Sequence, residues 1–360
     1  MTTPAAETLQ PAAETAIPSC DVVVLTWDRR DLLEPCVARV LAHTRVRGRL
    51  IIVDNGSTDP ATLQYLREAR GTAALPIEVV RVPQNIGIAA GLNVGLRHST
   101  APWVCLLNND LLVTEGWLEE MVRVGERDAS IGLINPMSNE FGVRPSADET
   151  LDQLGRRCRV TRSGRWLENW QAIGFCVLFH RRVFEEIGCW DERIGSMTDT
   201  DYSLLVRRTG RVCAIAEGAY VFHQKSATIR HDPSRHREFR DSWDQLQRKW
   251  GLGSFQRVAC ILPCGAASAR AAARVRELAN AGHEVDAIGA PADVAGVARH
   301  LLIRVRPVPG WAIWPAACWR IVTKKKRFER IIVWSPGAAR WLARLNGLHG
   351  AAVQLERTGA

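Results

Sequence analysis

The 360-residue sequence has no pair of cysteines in CxxC spacing, and the interval between Cys260 and Cys264 does not fit a zinc knuckle. Others of its ten cysteines lie in apolar runs, such as WVCLL around Cys105 and FCVLF around Cys176, where a reduced thiol packs as a small hydrophobe. The first 19 residues also contain no Lys or Arg, so they lack the basic start of a secretion signal. These absences predict a reduced, cytoplasmic protein with a disordered tail over residues 1–18.

No apolar run approaches the roughly 20 residues that span a bilayer. The nearest candidate, residues 311–322 (WAIWPAACWRIV), is interrupted by Pro315 and followed by three lysines and Arg327. An apolar stretch with cations beside it suits the surface of a membrane. We expect residues 311–327 to contact such a surface without crossing it, which would place the protein peripherally on the inner membrane face.

Positive charge is unevenly distributed along the chain. The formal net charge is +9, and residues 257–360 contain 16 Lys and Arg against 6 Asp and Glu, so the preceding part is nearly neutral. No nucleic-acid partner is expected, because the aromatic residues of the basic part cluster with proline instead of alternating along a strand. The composition, 46% hydrophobic and 24% charged, excludes a wholly disordered chain.

Alternating strand and helix patterns predict an α/β fold. DVVVLTW, RLIIVDN, IEVVRV and WVCLLN are apolar, β-branched strands separated by helical patterns, an order that favours a mixed, mainly parallel sheet with flanking helices. At Arg257 the pattern starts again with RVACILPCG, a helix and HEVDAIG. We therefore expect a first domain over residues 19–256 and a second, smaller Rossmann-like domain over residues 257–360. No internal repeat is present.

Polar residues interrupt or follow these strands in five blocks. They are VVVLTWDRR, VDNGSTD, PQNIGIAAGLNVG, LLNND, and a long stretch from AIGFCVLF through GCWDERIGSMTDTDYSLLVRR to FHQKSAT. Open α/β sheets place ligands at the carboxyl ends of their strands, where such residues are tolerated. For each block alone a structural reading stays open: Trp27 in the core, an Asx turn at Asp54 and Asn55, and a close-packed helix at Gly87, Gly91 and Gly95.

Taken in order, the blocks resemble family 2 of the inverting glycosyltransferases, which have the GT-A fold, over residues 20 to 230. Asn-Asn-Asp in place of a more acidic motif resembles the rhamnosyl- and galactofuranosyl-type members. The resemblance implies transfer of a sugar from a UDP- or dTDP-sugar to a hydroxyl of a saccharide or lipid-linked acceptor. It also implies the following donor-binding residues: Thr26, Trp27, Asp28, Asp54, Asn55, Asn85, Gly87, Asn93, Asn109 and Asp110.

The resemblance further assigns the catalytic and metal positions. Asp199 corresponds to the general base, preceded here by Thr198 where relatives often have Glu. Asp110 and His223 correspond to ligands of a divalent cation, Mg or Mn, and oxygen and imidazole donors suit such ions. The acceptor side corresponds to Gly174, Trp190, Asp191 and Glu192. Asp201 is expected to cap its helix or pair with Arg207 or Arg208.

The segment RVACILPCGAASARAAARVRELANAGHEV looks like the opening of a GT-B glycosyltransferase. It has no GxGxxG and room for only one Rossmann-like half, so we interpret residues 257–360 as an accessory domain without its own active site. Two functions stay open at this point. One is a hexosyltransferase of the kind described, and the other is a non-catalytic, transferase-like scaffold or sugar-nucleotide-binding protein that docks a partner enzyme or membrane.

Overall fold

The computed structural model describes residues 18–224, 233–323 and 327–356. The predicted tail over residues 1–18 lies almost wholly outside this part of the chain. The elements up to residue 250 are β1 (Cys20–Thr26), α1 (Arg30–His43), β2 (Leu50–Asn55), α2 (Pro60–Glu68), β3 (Ile77–Val82), α3 (Ile88–His98), β4 (Trp103–Asn108), β5 (Leu111–Val113), α4 (Trp117–Arg127), β6 (Ile131–Ser138), α5 (Leu151–Arg162), β7 (Trp166–Asn169), β8 (Cys176–His180), α6 (Arg181–Ile187), α7 (Thr198–Arg208), β9 (Val212–His223) and α8 (Pro233–Trp250).

After residue 256 a second set of strands and helices follows. Its elements are β10 (Arg257–Ile261), α9 (Ser268–Asn280), β11 (Glu284–Gly289), α10 (Pro291–Val294), β12 (Ile303–Pro307), α11 (Ile313–Thr323), β13 (Arg330–Val333), α12 (Pro336–Arg344), α13 (Asn346–His349) and β14 (Ala352–Leu355). None of the helices in the described ranges is long and apolar enough to cross a bilayer.

The first sheet has the strand order β3-β2-β1-β4-β8-β6-β9-β5, and β7 also pairs with β9. β1 is parallel to both β2 and β4, and β2 is parallel to β3, whereas β8 runs antiparallel to β4 and β6. The predicted mixed, mainly parallel sheet is therefore confirmed. Because β1, β2 and β4 are parallel neighbours, their carboxyl ends lie at one edge of the sheet.

The strand β1 is apolar on both faces because helices cover both sides of the sheet. Val22 and Val24 are fully buried in a cluster that includes Leu33 of α1. Val23 faces the opposite side and packs with Leu92 of α3. Burial on both faces explains why this strand reads as a continuous apolar run, without the alternation of a half-exposed strand.

Two glycines of α3 let this helix approach β1 closely. A Cβ built at Gly91 would lie 2.5 Å from Leu25 Cδ1, and one built at Gly95 would lie 2.3 Å from Val23 Cγ1. Side chains longer than hydrogen would therefore push the helix off the sheet. The sequence left open the alternative that these glycines belong to a close-packed helix. The structure shows this close packing at both positions.

Replacing Gly95 with alanine is expected to lower the free energy of unfolding by about 1–3 kcal/mol, because the added methyl overpacks the contact with Val23. Denaturant titration measures the change. Gly296→Ala is the matched control, since a Cβ there would have no atom within 4 Å. Equal stability of the two variants would contradict the close approach of α3 to β1.

The second sheet is parallel throughout and has the order β12-β11-β10-β13-β14. This confirms the second, smaller Rossmann-like α/β unit. Glu168 of β7, only 2% exposed, connects it to the first sheet: its carboxylate accepts hydrogen bonds from Arg276 Nε at 2.7 Å and Asn280 Nδ2 at 2.8 Å. Its backbone also bonds to Arg299 and Leu301 at 2.9 Å each.

Candidate functional site

Thr26 and Asn109 join the ends of two parallel strands at the predicted ligand edge. Asn109 follows β4, and its Nδ2 donates to Thr26 Oγ1 at 3.1 Å. Thr26, the last residue of β1, in turn donates to the carbonyl of Asp28 at 3.1 Å. Two blocks that are 83 residues apart are thus brought together.

The turn after β1 presents an aromatic ring to solvent. Trp27 is 50% exposed, which rules out the alternative that it belongs to the core. Asp28 has φ 52°, in the left-handed region, and its Oδ1 accepts hydrogen bonds from the N–H groups of Thr58 and Asp59 at 2.8 Å each. This pairing ties the turn after β1 to the turn after β2. The exposed indole therefore stands on a well-braced backbone.

Asp54 and Asn55, at the end of β2, are almost completely buried and bond within the protein. Asp54 accepts from Ser57 N–H at 2.9 Å and from Arg81 Nη1 at 2.8 Å. Asn55 accepts from Ile86 N–H at 3.1 Å and donates to Asn85 Oδ1 at 3.1 Å. In this structure both residues shape the turns beside the edge.

Asn85, Gly87 and Asn93 fall into two groups. Asn85 Oδ1 accepts from Gly87 N–H at 2.9 Å, and Gly87 has φ 88° at the start of α3. Asn93 is fully buried and forms a pair of 2.9 Å hydrogen bonds with the backbone of Trp190, plus one at 2.9 Å to Glu192. Of the two roles considered for Asn93, the structure places it where it holds a loop.

Asp110 and His223 are brought together by the pairing of β5 with β9, in which Leu111 lies opposite His223. The distance between Asp110 Oδ2 and His223 Nε2 is 3.2 Å. Glu140, which the sequence analysis did not single out, lies on the other side of the ring, with Oε1 at 2.9 Å from Nδ1. Both imidazole nitrogens therefore face carboxylates.

These contacts explain the raised pKa of His223. Burial lowers the pKa of the imidazole, but the hydrogen bonds and charges of Asp110 and Glu140 outweigh it, so the pKa lies above the ordinary histidine value. Asp110 is only 8% exposed, and its Oδ1 is buried without a hydrogen-bond partner among the described residues. An unpaired buried carboxylate oxygen is costly unless a cation or donor approaches it.

The pair of Asp110 and His223 has the donor chemistry for a divalent cation. The carboxylate oxygen and imidazole nitrogen suit Mn, and the orphaned Oδ1 fits a metal contact. Glu140 has the position of an outer carboxylate that orients a ligating histidine. No group of three or more His, Cys, Asp or Glu within the described ranges is arranged for a metal, so a cation here would need oxygens from a ligand or water.

Asp199, the predicted base, lies in the first turn of α7. Its Oδ2 accepts from Gly174 N–H at 2.8 Å and its Oδ1 from Thr200 N–H at 2.7 Å. A Cβ at Gly174 would lie 3.2 Å from the carboxylate, so glycine permits this approach. Burial raises the pKa of the Asp199 carboxyl, these N–H groups lower it, and the net pKa lies above the ordinary aspartate value.

The segment around Gly174 connects the predicted base with the predicted cation pair. Next to Gly174, Phe175 accepts a hydrogen bond from Asn108 N–H at 2.9 Å and stacks on the His223 ring, with centroids 5.7 Å apart. Asn135 of β6, fully buried, holds this segment through bonds to Ile173 N–H at 2.9 Å and Cys176 carbonyl at 2.5 Å. Sequence reasoning missed Asn135, because one Asn in an apolar strand carries no motif.

The loop on the predicted acceptor side is built around Trp190, whose indole is 2% exposed and stacks on Tyr202 with centroids 4.9 Å apart. Its neighbour Glu192 is exposed, while Asp191 pairs with Arg193 at 2.9 Å. The hydrogen bond from Arg193, together with Lys249, lowers the pKa of Asp191. The structure therefore puts Trp190 inside the protein and leaves Glu192 facing solvent.

Asp201 departs from the sequence prediction. The expected partners were Arg207 and Arg208 of its own helix, but the fully buried carboxylate bonds to Lys249 Nζ at 2.8 Å and Trp250 Nε1 at 2.7 Å. Both partners are at the end of α8, a long-range contact that helical spacing cannot indicate. Arg208 instead stacks over the Trp250 ring, with Cζ at 4.2 Å from its centroid.

Comparison with known proteins shows similarity to glycosyltransferases. Residues 21–188, somewhat less than half of the chain, match the family model of glycosyl transferase family 2. It is 25% identical over 233 residues to an O-antigen biosynthesis protein of Myxococcus xanthus, covering 60% of this chain but only 18% of that protein. It is 22% identical over 247 residues to the N-acetylglucosaminyl-diphospho-decaprenol L-rhamnosyltransferase of Mycobacterium tuberculosis, covering 60% of this chain and 79% of that enzyme.

A solved structure supports the fold. A mannosyltransferase of Pyrobaculum calidifontis, in complex with GDP-Man and Mn²⁺, superposes with a TM-score of 0.50 at 19% identity and covers 65% of each chain. The predicted GT-A-like architecture of the first sheet is therefore confirmed.

Proposed function

We propose that this chain is an inverting glycosyltransferase that moves a sugar from a UDP- or dTDP-sugar to a hydroxyl of a saccharide or lipid-linked acceptor. One observation carries the proposal: the segment Gly174 and Phe175 contacts Asp199 on one side and His223, next to Asp110, on the other. The predicted base, Asp199, therefore lies near one end of this short segment, and the pair of Asp110 and His223 lies near the other. This arrangement suits displacement at an anomeric carbon bound between them.

In this mechanism Asp199 acts as the general base. It accepts the proton of the acceptor hydroxyl while the oxygen attacks the anomeric carbon from the side opposite the diphosphate, which leaves with the bonding electron pair. The N–H groups of Gly174 and Thr200 fix the carboxylate for this transfer. Its raised pKa makes the carboxylate a stronger base than an ordinary aspartate. Thr198, buried, replaces the second acid expected beside it.

The donor would lie along the edge formed by β1, β2 and β4. Trp27 offers an exposed ring for the base, with Thr26 and Asp28 beside it. Asp110 and His223 would hold Mg or Mn, which when bound offsets the negative charge of the diphosphate leaving group. Asp54, Asn55, Asn85, Gly87, Asn93 and Asn109 would shape this edge through their hydrogen bonds within the protein.

The acceptor is proposed to bind near Gly174, Asp191 and Glu192. A lipid-linked acceptor is favoured by the likeness to the decaprenol-linked rhamnosyltransferase. Residues 19–256 would form the catalytic domain and residues 257–360 an accessory domain. A cytoplasmic location and a rhamnosyl or galactofuranosyl donor belong to the same proposal.

Release of nucleoside diphosphate tests the proposal. The full chain would be incubated with a panel of UDP-, dTDP- and GDP-sugars and lipid-linked acceptors, with and without Mn²⁺. Donor-dependent release that requires acceptor supports it. Calorimetric binding of a donor without turnover across the panel would instead favour a transferase-like scaffold.

The pH dependence of kcat/KM is expected to show an acid limb above the ordinary aspartate pKa of about 3.9, because the raised pKa keeps Asp199 protonated to higher pH. Activity rises as the carboxyl loses its proton. Thr200→Val removes a hydroxyl that lowers this pKa, so its limb should move further up. Measurements at saturating Mn²⁺ separate this limb from metal binding. A limb at or below the ordinary value in both proteins would contradict the assignment.

A further inference from the structure

Large apolar side chains stand exposed on the second sheet's helices. Trp311, just before α11, is 85% exposed, and Trp319 within α11 is 73% exposed. Monomeric proteins usually bury such rings or use them at an interface. These two residues, together with Trp314, Val322 and Trp341, define what we call the tryptophan face.

Helical geometry puts this face opposite the core. Ile313, Ala317 and Ile321, one turn apart along α11, are buried against the sheet. Trp319 and the 55% exposed Val322 project from the other side of the same helix. The helix is therefore apolar on both sides, although only one side has a partner within the described residues.

The face extends from α11 onto α12. Trp314 meets Trp341 of α12 edge-on, with ring centroids 6.3 Å apart, and Trp341 is 45% exposed. Arg340 and Arg344 of α12 are exposed, and neither forms an ion pair with any residue that the structure describes. The sequence prediction was limited to residues 311–327, and the structure adds α12 to it.

The chain segments that carry the face contain no acidic residues, although Arg320 of α11 pairs with the buried Asp286 of β11. Between Asp293 and Glu329, and again between Glu329 and Glu356, the sequence contains no Asp or Glu. Cations near exposed indoles are the combination that interfacial membrane segments use, since the rings enter the headgroup layer and the cations meet anionic lipids.

We propose that the tryptophan face is a docking surface for an anionic lipid bilayer, with Arg340 and Arg344 beside it. Docking does not depend on the proposed transferase activity. Residues 324–326 lie outside the described ranges and are not counted in the tryptophan face.

The test is sedimentation of the full chain with sucrose-loaded vesicles, in the absence of donor. Vesicles of phosphatidylcholine alone are compared with vesicles that contain about one third phosphatidylglycerol. We expect binding to the anionic vesicles to be about tenfold tighter, and Trp311→Ser with Trp319→Ser to weaken it by about tenfold or more. Arg340→Gln with Arg344→Gln should reduce both the affinity and its dependence on salt.

Phe239→Ser is the matched control, because Phe239 is an exposed aromatic residue of α8, 55% exposed, far along the chain from the face. Its binding should equal that of the unmodified chain. The melting temperature checks folding of every variant. Equal vesicle binding by the double tryptophan variant and the unmodified chain would overturn the proposal. Equal binding to both vesicle types would also overturn it. The same holds if light scattering shows that the unmodified chain is a dimer and the double tryptophan variant a monomer.

Discussion

Replacing Asp199 with asparagine is expected to reduce turnover by roughly 10²–10⁴-fold, the usual contribution of a positioned general base. The amide keeps the size of the side chain and one oxygen, which can accept from the Gly174 N–H, while the bond from the Thr200 N–H is lost. The melting temperature shows whether the fold is kept. What the variant loses is the ability to accept the proton of the acceptor hydroxyl. Donor binding, measured by calorimetry, should stay close to that of the unmodified chain. The rate of product formation in a single turnover should fall.

Asp201→Asn is the matched control for this prediction. It alters a carboxylate two residues along the same helix, one that bonds to Lys249 and Trp250 and is fully buried. Its loss should lower the melting temperature, because Lys249 Nζ and the Trp250 indole N–H lose the charged acceptor that they share. The rate per folded molecule should change little. Full turnover by Asp199→Asn with a competent donor and acceptor would remove the base assignment.

The edge that carries the site could be predicted because it follows from local patterns. A β-branched apolar run that ends in a polar residue marks the end of a buried strand, and parallel strands end at the same edge. Thr26, Asn55 and Asn108 therefore had to lie together once their strands were taken as parallel neighbours. The pairing of β1 with β2 and β4 bears this out.

Partners distant in sequence could not be predicted. Glu140 and His223 are separated by 83 residues, and their contact depends on how the end of β6 meets β9. Asp201 pairs with α8 because two helices pack together, and no spacing rule for a single helix expresses that. The helix α5 escaped prediction for a different reason, since charged residues are scattered among its apolar positions.

The sequence also could not show which Asn and Asp side chains form hydrogen bonds within the protein instead of facing a ligand. Asn and Asp at a strand end are equally compatible with a ligand contact and with an internal turn, because both use the same acceptor oxygens. Asn93 was expected to reach a donor or hold a loop, and in the structure it is fully buried and bonded to the backbone of Trp190. Half of the surface of Trp27, by contrast, stays in solvent, so this ring is not part of the core.

Replacing Asp110 with asparagine is expected to abolish measurable Mn²⁺ binding and to lower turnover by about 10²–10³-fold, equivalent to the several kcal/mol that a bound cation contributes to a charged leaving group. The amide has no negative charge to offer the cation, and it replaces a carboxylate whose Oδ1 has no hydrogen-bond partner among the described residues. Binding is followed by electron paramagnetic resonance of free Mn²⁺, which needs no turnover. Because the described residues offer no three-ligand cluster, Mn²⁺ should bind the unmodified chain more tightly when a nucleoside diphosphate is present.

Glu140→Gln should give an intermediate result, about 10–100-fold weaker Mn²⁺ binding, because it removes the charge behind His223 and keeps a hydrogen-bond acceptor for Nδ1. Asp152→Asn, at an exposed carboxylate of α5 paired with Arg39, is the control and should bind Mn²⁺ normally. If Asp110→Asn and chelator-treated enzyme both turn over at the full rate, the cation plays no part in the reaction. If Glu140→Gln loses Mn²⁺ binding while Asp110→Asn keeps it, Asp110 is not a ligand of the cation.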